Sequence, residues 1–331
     1  MKNIAVVILN WNGKGLLDKF LPSVMEYSDL ANVYIIDNSS TDGSQEFLKL
    51  NYPSITLIQN DGNFGFAKGY NIGLQNIQEE YLALVNSDIE VTENWLQPIL
   101  DLFQKSEETC IIQPKILDYK RKTHFEYAGA AGGFIDKYGY PFCRGRIFES
   151  IEKDQGQYND EFEIFWASGA CFFIRNKTFK KLKGFDEDFF AHQEEVDLCW
   201  RARNANCKIM YTHKSTVFHV GGATLGATNP HKTFLNFRNS LAMLVKNLPE
   251  TRLLPIIFSR MVLDGMAFFK FIAEGKISHG TSILKAHFYF YTHLPRNFKK
   301  RPKDLKFNYY DTKSIVWKHF FKKINSYKNL L

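Results

Sequence analysis

The 331-residue sequence has few cysteines, and none lies in a pattern typical of a metal site or a disulfide framework. The five are odd in number, scattered along the chain and never spaced as CxxC: Cys110, Cys143, Cys171, Cys199 and Cys207. This spacing argues against a disulfide-stapled fold and against a cysteine zinc site. We therefore expect reduced thiols in a cytosolic protein.

The sequence also lacks a dinucleotide-binding fingerprint and a recognisable signal peptide. The first apolar run is followed by NWNGKG rather than GxGxxG, which argues against a dinucleotide-dependent enzyme and leaves a single-nucleotide site open. That run stops after six residues, at Asn10, where a signal peptide would continue. We predict a first β-strand there instead.

No long apolar segment is free of charge. The stretch 253–273 is long enough to span a bilayer, but it contains Arg260, Asp264 and Lys270. Each of these costs about 2.5–3.5 kcal/mol at a bilayer centre, so spanning is disfavoured. Two alternatives stay open: a helix lying in the membrane interface, and a helix packed on the protein.

Positive charge is concentrated in the last quarter of the chain. The net charge is +7, yet residues 251–331 hold 16 Lys and Arg against 4 Asp and Glu, a balance of +12 on an aromatic-rich segment. The other 250 residues have a balance of −5. This asymmetry predicts a separate docking surface for anionic lipid; a nucleic-acid partner has no motif behind it and is not expected.

Apolar strand-like runs alternate with helix-like stretches through the first hundred residues. Such continuous apolar strands indicate a mostly parallel sheet flanked by helices, and therefore an α/β fold. We predict strands at 4–9, 33–37, 54–58 and 81–85, with helices around 14–27, from 41 onward and across 65–77.

The pattern loosens between about 105 and 165, where glycines and aromatics alternate with polar residues. A strand at 169–175 and a helix at 196–204 follow, then a final pair of strands in CKIMY and STVFHV, and helical periodicity after Pro230.

Acidic side chains follow two of the predicted strands. Asp37 comes directly after VYII and before small polar residues, and Asp88 ends the segment NSD after YLALV. Parallel sheets place ligand sites at the carboxyl ends of strands, where an acid can accept from a ribose hydroxyl or a base N–H. A polar turn that caps the next helix is the simpler interpretation, and both can hold.

The segment NFGFAKGYNIG, residues 63–73, opens a predicted helix with three glycines. Glycine permits close backbone approach, Lys68 adds positive charge, and a helix N-terminus favours anions. A glycine-rich helix start that only packs on the sheet would look similar.

The densest group of ionisable residues lies around a predicted helix start. Asp197 and Arg201 are four residues apart and are predicted to pair, which makes Asp197 structural. Glu194 and Glu195 can stabilise the helix dipole, or one of them can serve as a base whose pKa its neighbour raises. His219 ends a strand; a lone histidine is more often structural, but here it can also supply a nitrogen ligand to a divalent metal.

Seven segments, taken in order, resemble the family 2 glycosyltransferases of GT-A fold, and most closely the bacterial rhamnosyltransferase-like members. They are VVILNWNG, IIDNSSTDGS, NFGFAKGYNIG, LALVNSDIEV, ASGACFFIR, GFDEDFFAHQEEVDLCWRAR and VFHVGG. The resemblance extends over about residues 3 to 240 and does not cover 250–331.

The resemblance implies roles for individual residues. Asp37 matches the acid at the nucleotide base or ribose, Asp88 the last acid of a DxD motif, and Glu195 the general base that deprotonates the acceptor hydroxyl. The implied set is Asn10, Asp37, Asn63, Lys68, Asn71 and Asp88 for the donor, Trp166, Gly169 and Glu194 on the acceptor side, and Asp88 with His219 for Mg²⁺ or Mn²⁺.

Two positions depart from the family pattern, and one signature is absent. Asn86 replaces the first acid of DxD, and Glu195 replaces the usual aspartate while remaining a carboxylate. The QxxRW signature of processive members is absent, and FLNFRNSLAML (234–244) stands in that region. We expect a transferase that adds a single sugar, in which the bound diphosphate supplies more of the metal ligands than usual.

The expected protein is thus an inverting, metal-dependent glycosyltransferase that moves a sugar from a nucleotide sugar, such as dTDP-rhamnose or a UDP-sugar, to a glycan or lipid-linked acceptor in cell-surface polysaccharide synthesis. It is expected at the cytoplasmic face of the inner membrane as a peripheral protein. An inactive nucleotide-binding scaffold of the same fold, and less favourably a sugar-nucleotide pyrophosphorylase, are the alternatives.

The expected domain organisation has two parts. Residues 1–245 form the GT-A domain, with a nucleotide-binding half at 1–105 and an acceptor half at 106–245. Residues 246–331 form a basic, aromatic helical extension.

Overall fold

A computed structural model describes residues 2–221, 229–303 and 305–330. Gly222, the second glycine of VFHVGG, lies outside the described residues. The strands are β1 (Ile4–Asn10), β2 (Ala31–Asp37), β3 (Thr56–Gln59), β4 (Tyr81–Asn86), β5 (Ile89–Val91), β6 (Thr109–Asp118), β7 (Gly133–Ile135), β8 (Pro141–Cys143), β9 (Arg146–Ile147), β10 (Ser150–Ile151), β11 (Glu161–Glu163), β12 (Cys171–Arg175) and β13 (Lys208–His219).

The helices lie between and after these strands. They are α1 (Lys14–Tyr27), α2 (Ser44–Asn51), α3 (Gly65–Gly73), α4 (Gln97–Lys105), α5 (Asn176–Lys181), α6 (Glu194–Asn204), α7 (Pro230–Asn247), α8 (Glu250–Ala273), α9 (Ile277–Lys299) and α10 (Ile315–Phe320).

The central sheet has the order β11-β13-β6-β12-β4-β1-β2-β3, with β5 also paired to β13. The half from β4 to β3 is entirely parallel. β12 runs antiparallel between β4 and β6, while β13 is parallel to β6. The predicted α/β fold with a mostly parallel sheet is therefore confirmed.

The parallel half forms because its strands are apolar on both faces. In β1 and β4 nearly every side chain is buried, which requires cover on both sides of the sheet. Two apolar layers provide this cover. Gly73 of α3 permits one close approach, since a Cβ there would lie 2.3 Å from Ile36 of β2.

Several sequence-based boundaries were wrong in detail. CKIMY and STVFHV belong to one strand, β13, whose pairing with β6 continues across an irregularity between Thr212 and Thr216. The helix expected across 65–77 ends at Gly73, and the helix expected from Val196 begins at Glu194.

The carboxyl-terminal helices pack on the body along one side only. On α8 the buried residues include Arg260 and Asp264, and Arg260 donates to the Tyr138 carbonyl at 3.0 Å and to Ser240 Oγ at 2.9 Å. His287 of α9 contacts Asp264 through Nε2 at 3.1 Å. Arg260 and Asp264 therefore face the protein rather than lipid, whereas Lys270 is exposed.

Among the described helices, none is long and apolar enough to cross a membrane. The expected division at residue 245 falls near the end of α7, which packs against α9 of the extension.

Candidate active site

The carboxyl ends of three neighbouring parallel strands meet at one edge of the sheet. Register pairs Asn10 of β1 with Asp37 of β2, and Leu9 with Asn86 of β4. The segment NSD thus lies beside the Asn10 and Asp37 segments, as expected for ligand sites in parallel sheets.

Asp37 is the centre of a hydrogen-bond network below this edge. Its carboxylate accepts from Asn10 Nδ2 at 2.9 Å, the Ser40 N–H at 2.8 Å and Gln45 Nε2 at 2.9 Å, and it is fully buried. Asn10 Oδ1 is buried and accepts no hydrogen bond from the described residues. Asn10 Oδ1 is thus a free acceptor at this edge, and Asp37 orients the Asn10 amide.

The donor residues expected in the segment 63–73 differ in their contacts, and one of them is engaged within the protein. Asn63 accepts from the Gly65 N–H at 3.0 Å and stays exposed, and Lys68 lies over the Phe64 ring. The Asn71 amide is engaged at both ends by the Phe185 backbone, at 2.9 Å each. Asn71 therefore joins α3 to the loop that precedes α6.

Asp88 and His219 contact each other directly. Asp88 Oδ1 lies 3.1 Å from His219 Nε2, and Asp88 Oδ2 accepts from the Gly221 N–H at 3.2 Å. The opposite ring nitrogen of His219, Nδ1, lies 3.2 Å from Glu126 Oε1. All three side chains are buried.

This arrangement determines the charges of the group. Burial lowers the pKa of His219, but the Glu126 and Asp88 carboxylates outweigh it and raise that pKa to about 10. Burial also opposes ionisation of Asp88, yet the hydrogen bond from His219 holds the pKa of Asp88 below its usual value.

Asp88 and His219 would hold a divalent cation once the metal displaces the proton that His219 Nε2 shares with Asp88. Adjacent ligands of an octahedral ion lie about 3 Å apart, which is close to the 3.1 Å between Asp88 Oδ1 and His219 Nε2. A carboxylate on the far nitrogen, here Glu126, is the usual partner of a metal-binding histidine. Within the described ranges no three such side chains are placed to hold one metal ion, so further ligands would come from the substrate or from water.

Glu126 was missed by sequence reasoning. It lies in the irregular region between β6 and β7, where no periodicity marks it. Only the fold brings it to His219, and no local sequence signal could have identified it.

The acids of α6 fall into two classes. Asp197 is an ion-paired structural residue, as predicted: it accepts from Arg201 Nε at 2.8 Å and Asn247 Nδ2 at 2.9 Å, and it lies 2.8 Å from Lys246 Nζ. Glu194 and Glu195 each keep a buried carboxylate oxygen that has no partner among the described residues.

Glu195 lies close to the NSD segment, and the backbone at Gly169 and Ala170 stands between them. A Cβ on Gly169 would lie 3.7 Å from Glu195 Cδ, and the neighbouring Ala170 carbonyl accepts from the Asn86 N–H at 2.9 Å. Burial raises the pKa of Glu195 to about 7 and that of Glu194 well above its usual value, where the Glu195 charge contributes. A half-buried carboxylate that has one unpartnered oxygen and gains its charge near neutral pH suits a general base.

The loop that precedes Glu194 is strained and is held from α7. Phe190, His192 and Gln193 have positive φ angles of 61°, 71° and 71°. Asn239 Nδ2 lies 2.7 to 3.0 Å from the carbonyl oxygens of three loop residues, Phe189, Ala191 and His192. Asn239 therefore holds the loop that positions Glu195.

We expect Asn239→Ala to lower kcat at least tenfold and to reduce the free energy of unfolding by roughly 1–3 kcal/mol, because buried carbonyls lose their donor. Steady-state kinetics and urea unfolding measure the two effects. Asn51→Ala, at an exposed asparagine of α2, is the control and should change neither. Unchanged kcat in Asn239→Ala would contradict this role.

Trp166 does not reach the surface. Its Nε1 donates to the Phe134 carbonyl at 2.9 Å, and its ring lies where a Cβ on Gly133 would be only 2.1 Å away. The indole is thus a packing element below the expected acceptor side.

The family profile described as Glycosyl transferase family 2 matches residues 5–183, more than half of the chain. The chain belongs to this family. Among curated relatives it is 23% identical to the low-salt glycan biosynthesis hexosyltransferase Agl10 of Haloferax volcanii, over 72% of this chain and 74% of that protein. It is equally 23% identical to the N-acetylglucosaminyl-diphospho-decaprenol L-rhamnosyltransferase of Mycobacterium tuberculosis, over 65% and 75% of the two chains.

Solved structures share the fold at low identity. GalNAc-T7 with UDP, GalNAc and Mn²⁺ superposes with a TM-score of 0.59 at 17% identity, over 76% of this chain and 49% of that one. The mannosyltransferase PcManGT of Pyrobaculum calidifontis with GDP-Man and Mn²⁺ gives 0.54 at 11%, over 89% and 80%. The GT-A fold is therefore shown for this family 2 glycosyltransferase.

Proposed function

We propose that this glycosyltransferase inverts the anomeric carbon of a nucleotide sugar while transferring it to a hydroxyl of a glycan or lipid-linked acceptor. One observation carries the proposal. Glu195, with an unpartnered buried oxygen, lies against Gly169, and the next residue, Ala170, accepts a backbone hydrogen bond from Asn86 in the segment that ends in Asp88. A base on one side and a diphosphate-binding acid on the other are what a single displacement requires.

Each residue of the site has one proposed role. Glu195 takes the proton of the acceptor hydroxyl as that oxygen attacks the anomeric carbon from the face opposite the leaving nucleoside diphosphate. Asp88 and His219 would hold a divalent cation, Mg²⁺ or Mn²⁺, which when bound offsets charge building on the diphosphate. Glu126 orients His219 from its far side.

The nucleoside end of the donor is proposed to bind at the edge formed by β1 and β2. Asn10, Asn63 and Lys68 are proposed as direct contacts, while Asp37 acts by orienting Asn10 and the Ser40 N–H. Gly169 gives the acceptor access to Glu195, with Glu194 beside it. Asn71 and Trp166 are not proposed as contacts, because their side chains are engaged within the protein.

Calorimetric titration with UDP, dTDP and GDP, each with and without Mn²⁺, tests the donor site. We expect one of these nucleotides to bind at least tenfold more tightly when Mn²⁺ is present. If none of the three binds under either condition, the proposed donor site is wrong. A dTDP preference would favour a rhamnosyl donor, by similarity to the rhamnosyltransferase relative.

An inactive nucleotide-binding scaffold is the second candidate, favoured only by Asn86 in place of the first DxD acid. It predicts nucleotide binding without release of nucleoside diphosphate from any sugar donor. A pyrophosphorylase would need a glycine-rich loop with Arg or Lys directly after β1. The sequence NWNGKG at that point is a poor match to such a loop.

We also propose that the protein is peripheral on the cytoplasmic face of the membrane and docks through α8 and α9. Each helix exposes an apolar stripe, with spacings of three and four residues on α8 and of three, four and seven on α9. Together we name these stripes the apolar face: Leu254, Phe258, Val262, Met266 and Phe269 on α8, and Ile277, Leu284, Phe288, Tyr291 and Phe298 on α9. Exposed lysines on the same hairpin, among them Lys276, Lys285 and Lys299, add attraction to anionic lipid.

We expect Phe258→Glu combined with Phe288→Glu to weaken binding to phosphatidylglycerol vesicles at least tenfold, since each phenylalanine loses about 1.5–3 kcal/mol of favourable burial. Vesicle co-sedimentation measures this, with Leu50→Glu as the control because Leu50 is an exposed leucine of α2. Binding that survives the double substitution, or that is equal on vesicles of phosphatidylcholine alone, would contradict docking to an anionic surface.

A further inference from the structure

The loop that carries Glu126 also presents an aromatic ring to solvent. Tyr127 follows Glu126 directly, and 45% of its surface is exposed. Tyr127 thus lies next to a residue that contacts His219, on the acceptor half of the fold.

The other side of this loop adjoins the base. A Cβ on Gly129 would lie 2.4 Å from Ser168 Cβ, and Gly169 is the residue against Glu195. The segment from Glu126 to Gly129 therefore bridges the Asp88–His219 pair and the surroundings of Glu195.

A buried arginine fixes the Tyr127 ring. The Arg146 guanidinium lies 4.6 Å from the ring centroid, and Arg146 itself is 94% buried. Its NH2 contacts Cys143 Sγ at 3.4 Å, and the Cys143 thiol lies within the electrostatic reach of both Glu126 and Glu195. Arg146 therefore lies in the same neighbourhood as the two carboxylates of the site.

Arg146 differs from a similar arginine two residues earlier. The Arg144 guanidinium also lies under an exposed ring, that of Phe162, but it is paired with both oxygens of Asp160 at 2.7 Å. Arg146 forms no salt bridge within the described ranges, and its Nε has no hydrogen-bond partner there. Burial opposes the charge of Arg146, but Cys143, Tyr127 and Glu126 outweigh it and raise the pKa of Arg146, so the guanidinium stays charged beneath the Tyr127 ring.

We propose that Tyr127, held rigid by Arg146, is the platform on which a pyranose unit of the acceptor stacks. The weakly polar C–H face of a pyranose ring fits the negative face of an aromatic ring, and a ring fixed in advance loses little entropy on binding. The platform places the acceptor between Glu195 and the donor diphosphate. This inference rests on the proposed function, since it names the acceptor class of the same site.

Saturation-transfer NMR with methyl glycosides of glucose, N-acetylglucosamine, galactose and rhamnose tests the platform. We expect transfer to the ring protons of at least one glycoside in the parent protein. The signal should fall at least fivefold in Tyr127→Ala and be largely kept in Tyr127→Phe. Phe162→Ala, which removes an equally exposed ring over an arginine, should leave it unchanged.

Three results would refute the platform: no saturation transfer from the parent to any glycoside, an undiminished signal in Tyr127→Ala, or a loss of signal in Phe162→Ala as large as that in Tyr127→Ala. Nucleotide affinity measured on the same variants separates this outcome from failure of the proposed function. Tyr127→Ala should bind UDP, dTDP or GDP with Mn²⁺ as the parent does. A parent that binds no nucleotide would instead refute the donor site.

Discussion

Glu195→Gln is expected to lower kcat for sugar transfer by about 10²–10⁴-fold, because a neutral amide cannot accept the proton of the acceptor hydroxyl. Nucleotide affinity should change less than threefold, since Glu195 is assigned to the acceptor rather than to the diphosphate. Steady-state kinetics and calorimetry on one preparation separate the two effects.

Glu194→Gln is the matched control at the adjacent carboxylate. Burial and the Glu195 charge raise the pKa of Glu194 well above its usual value, which favours its neutral form, and an amide imitates that form. We expect less than a tenfold loss of kcat. If kcat fell more in Glu194→Gln than in Glu195→Gln, Glu194 rather than Glu195 would be the general base.

The pH dependence of kcat follows from the assignment of Glu195 as the general base. The pKa of Glu195 is raised to about 7, and a base acts only when deprotonated, so kcat should rise as pH increases through about 7. The residual activity of Glu195→Gln should lack this rise. A parent rate that falls across this range would argue against a carboxylate base.

Asp88→Asn is the second substitution with a large expected effect. We expect at least a 10²-fold loss of kcat/KM, together with loss of the Mn²⁺ dependence of nucleotide binding, because the only acid of NSD would be neutral. Asp101→Asn, at an exposed aspartate of α4, is the control and should change neither quantity.

The single carboxylate in NSD also predicts how the metal binds. With Asn86 in place of an acid, Mn²⁺ should bind weakly to the free protein and at least tenfold more tightly when nucleoside diphosphate is present. Tight Mn²⁺ binding by the nucleotide-free protein would contradict the interpretation of Asn86.

The parts of the fold that local pattern determines could be predicted from the sequence. The buried runs of β1 and β4 require a covered parallel sheet, and a parallel sheet places Asp37 and the NSD segment at one edge. The Asp197–Arg201 pair could also be predicted, because four-residue spacing on a helix is a local relation.

The remaining features depend on tertiary packing. Glu126 reaches His219 only through an irregular loop, and Trp166 is buried because Gly133 lets the chain pass over it. Arg260 and Asp264 face inward because the Tyr138 carbonyl, Ser240 of α7 and His287 of α9 offer them partners, which hydropathy along 253–273 does not reveal. The continuous β13 was missed because its irregularity divides the apolar pattern.

The most direct test of the central claim is release of nucleoside diphosphate from a panel of UDP-, dTDP- and GDP-sugars, comparing the parent with Glu195→Gln and Asp88→Asn. We predict that the parent releases nucleoside diphosphate from at least one donor in the presence of Mn²⁺, and that both variants are at least a hundredfold slower. Release from no donor, or equal rates in all three proteins, would contradict the account.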